Sequence, residues 1–156
     1  MKRDLFVFAA IGAPFVASAA TAASAIGVTD VWSRPAVGTG VVYLTIHKHG
    51  TASDRLIDAS SPVAEHVEMH ETVSAAHTGA MKMGAPMPGM PAGAMEMRRV
   101  RAVSVPAGGK ITFKPGGYHI MLIGLRHNLA PGQTIPIRLQ FAKAGWIAAR
   151  SSVRGM

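Results

Sequence analysis

Histidine and methionine are the residues of this chain that could do chemistry, because its 156 residues include seven His and ten Met but no Cys. In a β-strand, residues two apart point to the same face of the sheet. His119 and Met121 lie two apart in a strand-like run, so they present an imidazole and a thioether side by side. Such donors, without thiolates or a carboxylate cluster, favour Cu(I) over zinc, calcium or magnesium. The pattern therefore predicts a copper site.

Two further groups of donors lie upstream. His66, Glu68 and His70 alternate along a predicted strand and so share one of its faces, which would let His66 and Glu68 support His70 as hydrogen-bond partners. Met95 and Met97 are also two apart. The alternative for any single Met is core packing, since methionine readily fills gaps in apolar cores.

A methionine-rich segment argues against that alternative for the chain as a whole. Residues 73–97 contain six Met together with three Pro and four Gly, and no core-forming alternation precedes the last few residues. Proline and glycine disfavour regular strand pairing. We therefore expect a long loop over residues 74–94, of the length that is usually functional or disordered.

The rest of the chain consists of short strand-like runs separated by turn signals. The runs cover residues 28–33, 41–46, 55–59, 64–72, 95–100, 102–105, 110–114, 118–122, 134–142 and 146–151. No stretch has a sustained helical period, and residues 125–133 are predicted to be a loop or a single helical turn. Such spacing predicts an all-β Greek-key sandwich or barrel of about eight or nine strands.

The first 25 residues are typical of a secretory signal peptide. Two basic residues precede an apolar run over residues 5–20, and the small residues 23–25 form a cleavage pattern. A membrane anchor is the alternative, but Pro14 interrupts the run. The mature domain is then residues 26–156, with a charge of +7 after loss of two of the 16 basic and one of the eight acidic residues. For an exported protein, this charge favours acidic partners or the anionic membrane surface over nucleic acid.

Several motifs make the chain resemble the PCuAC family of periplasmic copper chaperones, which are cupredoxin-like β-sandwich proteins. They are VTDVWSRP (28–35), ASDRL (52–56), SSPVA (60–64), VEMHE (67–71), MR (97–98) and PGGYHIML (115–122). The resemblance covers residues 26–151, and its last motif is the most specific. It implies a cupredoxin-like Greek-key sandwich and a Cu(I) site.

In this family, ten residues separate the first copper ligand, a His, from the second, a Met, and another twenty-one residues separate that Met from a His-x-Met. Met97 and His119 are separated by twenty-one residues, whereas twenty-six separate His70 from Met97, so the loop before Met97 holds an insertion of about sixteen residues. The resemblance therefore implies four Cu(I) ligands: His70, Met97, His119 and Met121. Met81, Met83 and Met95 are alternatives to Met97.

The inserted loop offers a second set of donors. It would form a weaker copper site, for Cu(I) or Cu(II), from His77, Met81, Met83, Met87, Met90 and Met95. An insertion without a metal-binding role is the alternative. His47 and His49, at the end of a strand, are more typical of a solvated turn than of another site.

The resemblance implies a periplasmic binding protein rather than an enzyme. It would carry Cu(I) to a respiratory cytochrome oxidase subunit, or to a thiol-bearing assembly factor, as a monomer without stable membrane insertion after signal removal. A copper buffer for tolerance, without a specific acceptor, is one alternative. A copper redox enzyme is another, but it would need an open coordination position and more His. A nucleic-acid module is disfavoured, because the sequence has no aromatic stacking platform and no concentrated basic strip.

Overall fold

The computed structural model describes residues 25–74 and 95–155, which form ten strands and, within those ranges, no helix. The strands are β1 (Ile26–Ser33), β2 (Thr39–Lys48), β3 (Asp54–Ser60), β4 (Ala64–Ser74), β5 (Met95–Arg99), β6 (Val103–Val105), β7 (Lys110–Phe113), β8 (Tyr118–Leu125), β9 (Thr134–Phe141) and β10 (Gly145–Val153). Each predicted strand-like run is a strand, so the expected number of eight or nine was too low. Residues 126–133 form a loop.

The predicted leader and almost all of the methionine-rich loop lie outside the described residues. Among residues 25–74 and 95–155, no helix is long and apolar enough to cross a membrane. The division of the chain into a leader, a domain over residues 26–156 and a loop insertion stays a prediction.

The strands form one hydrogen-bonded path in the order β5-β4-β8-β2-β1-β10-β9-β3-β6, with β7 joined to β2. Strand β2 is the centre of this arrangement. On one edge it pairs with β8 through residues 39–42 and with β7 through residues 44–47, and on the other edge it pairs with β1. All pairs are antiparallel except β1 with β10, where Trp32 lies beside Ser152.

Both halves of this path cover a single core. Alternate residues of β2, including Leu44 and Ile46, are buried on the same side, as are Ile137 and Leu139 of β9. Strands from both halves of the path, such as β4 and β6, contribute to the same buried cluster, so the sheet is folded over into a sandwich. The predicted all-β sandwich is confirmed.

Strands β4 and β8 position the candidate site. Met69 of β4 and Ile120 and Leu122 of β8 face the core, so the residues that alternate with them project from the outer face of the sheet. The turn before β8 contains Pro115, Gly116 and Gly117. Gly116 has a φ of 79°, a left-handed conformation that glycine adopts without strain.

Asp54 ties β3 to the turn between β9 and β10. Its side chain is nearly buried, and it accepts hydrogen bonds from the backbone N–H groups of Arg55 (2.8 Å), Lys143 (2.9 Å) and Ala144 (2.9 Å). Burial alone would raise the pKa of Asp54, but the three N–H donors outweigh burial and hold the pKa below its ordinary value of 3.8. The aspartate of the ASDRL motif is therefore part of the scaffold.

Candidate metal centre

The pairing of β4 with β8 places His70 directly opposite His119. The centroids of the two imidazole rings are 5.8 Å apart. An ion held about 2.0 Å from a ring nitrogen lies about 3.2 Å from the ring centroid, so two rings that share an ion can have centroids up to about 6.4 Å apart. The spacing is therefore compatible with one metal ion between the two imidazoles.

The His119 ring is held by the backbone of the preceding turn. Its Nδ1 lies 3.0 Å from the carbonyl oxygen of Gly117. A carbonyl oxygen only accepts, so Nδ1 is the protonated donor and Nε2 keeps its lone pair. His119 is 4% exposed, and its surroundings fix the ring. The Pro-Gly-Gly turn thus leaves one nitrogen of His119 available to a metal.

The His70 ring is held by a carboxylate, and through Nε2 rather than Nδ1. Its Nε2 lies 2.9 Å from Oε2 of Glu68. This hydrogen bond lowers the pKa of Glu68, and the Arg99 guanidinium, 3.2 Å from the other carboxylate oxygen, lowers the pKa further. An ionised carboxylate only accepts, so Nε2 of His70 is the donor. Nδ1 of His70 is buried and has no hydrogen-bond partner among residues 25–74 and 95–155.

The two predicted methionine ligands lie on either side of this imidazole pair. Met121, on β8, is two residues beyond His119 and lies opposite Glu68 of β4. It is half-buried. Met97, on β5, lies opposite Thr72 of β4 and therefore diagonally from His70. Its exposed fraction is 64%. Diagonal neighbours lie about 7–8 Å apart, within reach of long side chains. All four predicted ligands therefore share one face of three adjacent strands.

Other methionines and histidines have different positions. Met95 lies on the same face as Met97 but further along the edge strand, and it is exposed. Met69 is buried in the core. His66 is exposed on the same face as His70, opposite Ile123. The remaining members of the predicted second site, namely His77, Met81, Met83, Met87 and Met90, lie outside the described residues.

His47 lies on a part of β2 that pairs with β1 and β7 rather than with β8. Its Nε2 is 3.0 Å from the hydroxyl oxygen of Thr29. His49 follows β2 and is exposed. Neither residue belongs to the strand segments that carry His70 and His119.

Two contributors to the site were missed at the level of sequence. One is Arg99, which pairs with Glu68 (3.2 Å), as Arg98 next to it pairs with Glu71 (3.1 Å). Matching charges on the two strands of a hairpin could have indicated these pairs. The Gly117 carbonyl had no sequence signal, because any residue supplies a backbone oxygen.

The donors around the imidazole pair are soft and neutral. Across residues 25–74 and 95–155, no three His, Cys, Asp or Glu side chains are grouped as metal ligands. The additional donors beside His70 and His119 are thioethers, which suit Cu(I) rather than zinc or calcium. Two imidazoles and two thioethers on one face are a donor set that would suit a soft monovalent ion.

The family model described as "LpqE-like: Putative lipoprotein LpqE-like" matches residues 26–91 and 87–153. A putative lipoprotein of Leifsonia xyli subsp. xyli (strain CTCB07), Lxx21020, is 30% identical over 122 residues. That match covers 77% of this chain and 64% of the relative, so the chain spans less than two thirds of the relative's length.

Solved structures with the same fold include several PCuAC domains. The apo PCuAC domain from PmoF1 superposes with a TM-score of 0.64 at 20% identity, covering 85% of this chain and 95% of that domain. The copper-bound PCuAC domain from PmoF2 gives 0.62 at 20% identity, covering 85% and 94%. The CuI-DR1885 solution structure from Deinococcus radiodurans gives 0.54 at 24% identity, covering 89% and 83%. These likenesses confirm the cupredoxin-like fold.

Proposed function

Because this chain belongs to the LpqE-like family, which is of the PCuAC type, we propose that it is a Cu(I)-binding metallochaperone that works outside the cytoplasm. Its ligands are His70, Met97, His119 and Met121. The observation that carries the proposal is the pair of neighbouring imidazoles, each with one nitrogen held by an acceptor, in which the other nitrogen of His70 is buried without a partner among the described residues.

The buried Nδ1 of His70 is the strongest part of that observation. A buried polar atom without a hydrogen bond costs free energy, about 1–3 kcal/mol, and needs a physical reason. A metal ion between the two rings supplies one, because it accepts the lone pairs of Nδ1 and of the His119 Nε2. Each ring also donates its second nitrogen to an acceptor, as metal-bound histidines generally do.

The charge of the proposed site suits a transferable ion. Two neutral imidazoles and two thioethers leave a bound Cu(I) with its single positive charge, and thioethers need no deprotonation before binding. A thiolate-bearing acceptor adds negative charge to the ion and softer sulfur donors. Transfer from this protein to such an acceptor is therefore favourable.

The exposure of the ligands sets the order of exchange. Met97 lies at 64% exposure on the edge strand β5, whereas His119 is 4% exposed and held by the turn. An acceptor sulfur therefore replaces Met97 first and His119 last. We propose a respiratory cytochrome oxidase copper centre as the final acceptor, reached directly or through a thiol-bearing assembly factor. The protein itself acts as a monomeric carrier and not as an enzyme.

We propose that residues 1–25 are a signal peptide and that residues 26–156 work in the periplasm. The matching family is described as lipoprotein-like, which supports a location outside the cytoplasm. The sequence has no Cys, so none of its 156 residues can carry a thioether-linked lipid. Edman or mass-spectrometric analysis of the exported protein should give an N-terminus at or near Ile26; an intact leader would contradict the assignment.

The methionine-rich loop is proposed as a second, weaker copper site. Its donors are His77, Met81, Met83, Met87, Met90 and Met95, and it would take Cu(I) or Cu(II). Deletion of residues 82–92 should lower the number of copper ions bound per chain without weakening the tighter site. Unchanged stoichiometry would show that the loop is only an insertion.

The proposal is tested by anaerobic Cu(I) titration against a competing chelator. The His119→Ala and Met121→Ala variants should lose the tight site, whereas Met97→Ala should weaken it and speed copper release. Met69→Ala is the matched control, because Met69 is buried in the core on the other face of β4. If the His119→Ala and Met121→Ala variants bind Cu(I) as tightly as wild type, the assignment of the site is refuted.

A transfer assay separates a chaperone from a buffer. The Cu(I)-loaded protein is mixed with a dithiol-containing acceptor domain, and copper is measured on each protein after separation. Transfer faster than spontaneous dissociation of Cu(I) supports ligand exchange and therefore a chaperone. Transfer limited by dissociation would identify a copper buffer.

A further inference from the structure

We propose that Glu68 is a positioning residue that makes His70 bind copper through Nδ1, whereas His119 binds through Nε2. Arg99 holds Glu68 in place for this role. The inference rests on the proposed copper site and adds the identity of the donor atoms and the group that selects them.

The selection follows from the acceptors that the two rings contact. His119 uses Nδ1 to donate to the Gly117 carbonyl (3.0 Å), and His70 uses Nε2 to donate to Glu68 (2.9 Å). Neither acceptor can donate, so each fixes one tautomer of the neutral imidazole. The nitrogens left for a metal are therefore of different types in the two rings.

The second carboxylate oxygen of Glu68 is also engaged, by Arg99. Its Oε1 lies 3.2 Å from Nη1 of Arg99, while Oε2 accepts from His70. Arg99 lies directly opposite His70 in the pairing of β4 with β5. The carboxylate is thus held between a guanidinium and an imidazole on one face of the sheet, and both of its oxygens are used.

The contacts of Arg99 with Glu68 and of Glu68 with His70 connect His70 to β5, the strand that carries Met97. Arg99 and Met97 are two residues apart on β5. A shift of this edge strand would therefore move the proposed ligand Met97 and also Arg99, which holds the positioning residue of His70. A partner that displaces β5 would remove Met97 from the ion and release Glu68 from Arg99. Glu68 therefore couples the orientation of His70 to the position of β5.

The test uses ¹⁵N NMR of the histidine side chains, which reports the tautomer of each ring in the metal-free protein and the bound nitrogen in the diamagnetic Cu(I) protein. In wild-type protein, His70 should carry its proton on Nε2 and bind copper through Nδ1, with the reverse for His119. Glu68→Ala should give a mixture of His70 tautomers, leave the His119 tautomer unchanged, and weaken Cu(I) binding about 10- to 100-fold. Glu68→Gln, which keeps an acceptor oxygen, should restore part of both properties.

Glu71→Ala is the matched control. Glu71 also forms a β4–β5 ion pair, with Arg98, but faces away from His70. It should change neither the His70 tautomer nor copper affinity. A wild-type His70 protonated on Nδ1, or a Glu68→Ala variant that binds copper like wild type, would overturn the inference. If His70→Ala also binds copper normally, the copper site itself is wrong; if only Glu68→Ala binds normally, the site stands and the positioning role fails.

Discussion

Replacement of Asp54 should destabilise the fold strongly without changing the affinity for copper. Asp54 is 3% exposed and accepts three backbone hydrogen bonds, two at Oδ1 and one at Oδ2. Hydrogen bonds to charged groups contribute about 1.5–3 kcal/mol each, but residues 143 and 144 are exposed, so water would recover part of the loss in Asp54→Ala. We expect a decrease of about 3 kcal/mol in the free energy of unfolding, which in a domain of this size lowers the Tm by about 10 °C.

Asp54→Asn distinguishes the contribution of each oxygen. Its amide oxygen can replace Oδ1 and accept from Arg55 and Lys143, but its NH₂ group would face the Ala144 N–H. One hydrogen bond is lost and two donors oppose each other, so we expect about half of the loss in Asp54→Ala. Thermal unfolding followed by circular dichroism measures both variants, and copper titration at 25 °C should show unchanged affinity.

The pH dependence of stability shows whether the charge of Asp54 stabilises or destabilises the fold. The pKa of Asp54 is lowered in the folded protein, so the folded state favours the ionised carboxylate. Its contribution is fully present above the ordinary pKa of 3.8 and is lost as the pH falls through the lower folded-state pKa. The difference in the free energy of unfolding between wild type and Asp54→Asn should therefore become smaller below about pH 4. A Tm for Asp54→Ala within about 2 °C of wild type at pH 7 would refute the argument.

Three other predictions concern the scaffold and the site. Met69→Ala should lower the free energy of unfolding by about 2–5 kcal/mol in urea titrations while leaving copper stoichiometry unchanged. Gly124→Ala should cost about 1–2 kcal/mol in the same assay, because Gly124 has a φ of 68° and a Cβ would lie 2.9 Å from Oε2 of Glu65. Met97→Ala should leave the Tm of the metal-free protein unchanged and raise the rate of Cu(I) release; a lower Tm without faster release would contradict its assignment as an exposed ligand.

The strands were predictable because their signals are local. Alternation and β-branched runs such as that of β2, together with the Pro- and Gly-containing turns around residues 106–109 and 115–117, define where strands begin and end. The order of strands in the sheet, with β8 between β4 and β2, depends on pairing between distant residues, which local patterns do not encode.

The candidate site was predictable to different degrees. The shared face of His119 and Met121 follows from the two-residue period of a strand, and the proposed pairing of His70 with them came from the family resemblance. The diagonal position of Met97 and the opposition of Arg99 to His70 depend on the register of the β4–β5 hairpin. That register could not be derived, because the twenty residues between β4 and β5 (75–94) contain no short turn signal of the kind that normally fixes a hairpin's register.

The parallel pairing of β1 with β10 has a consequence for the timing of folding. It joins strands from opposite ends of the described chain, and β9 also depends on β10 as a partner. Closure of such a long loop precedes any gain from pairing, which makes folding slow. A nascent chain in which residues 145–153 have not yet been synthesised cannot complete the sheet. Until β10 pairs, the edges of β1 and β9 that it covers keep unpaired backbone N–H and C=O groups, and open edges of this kind readily pair with other chains.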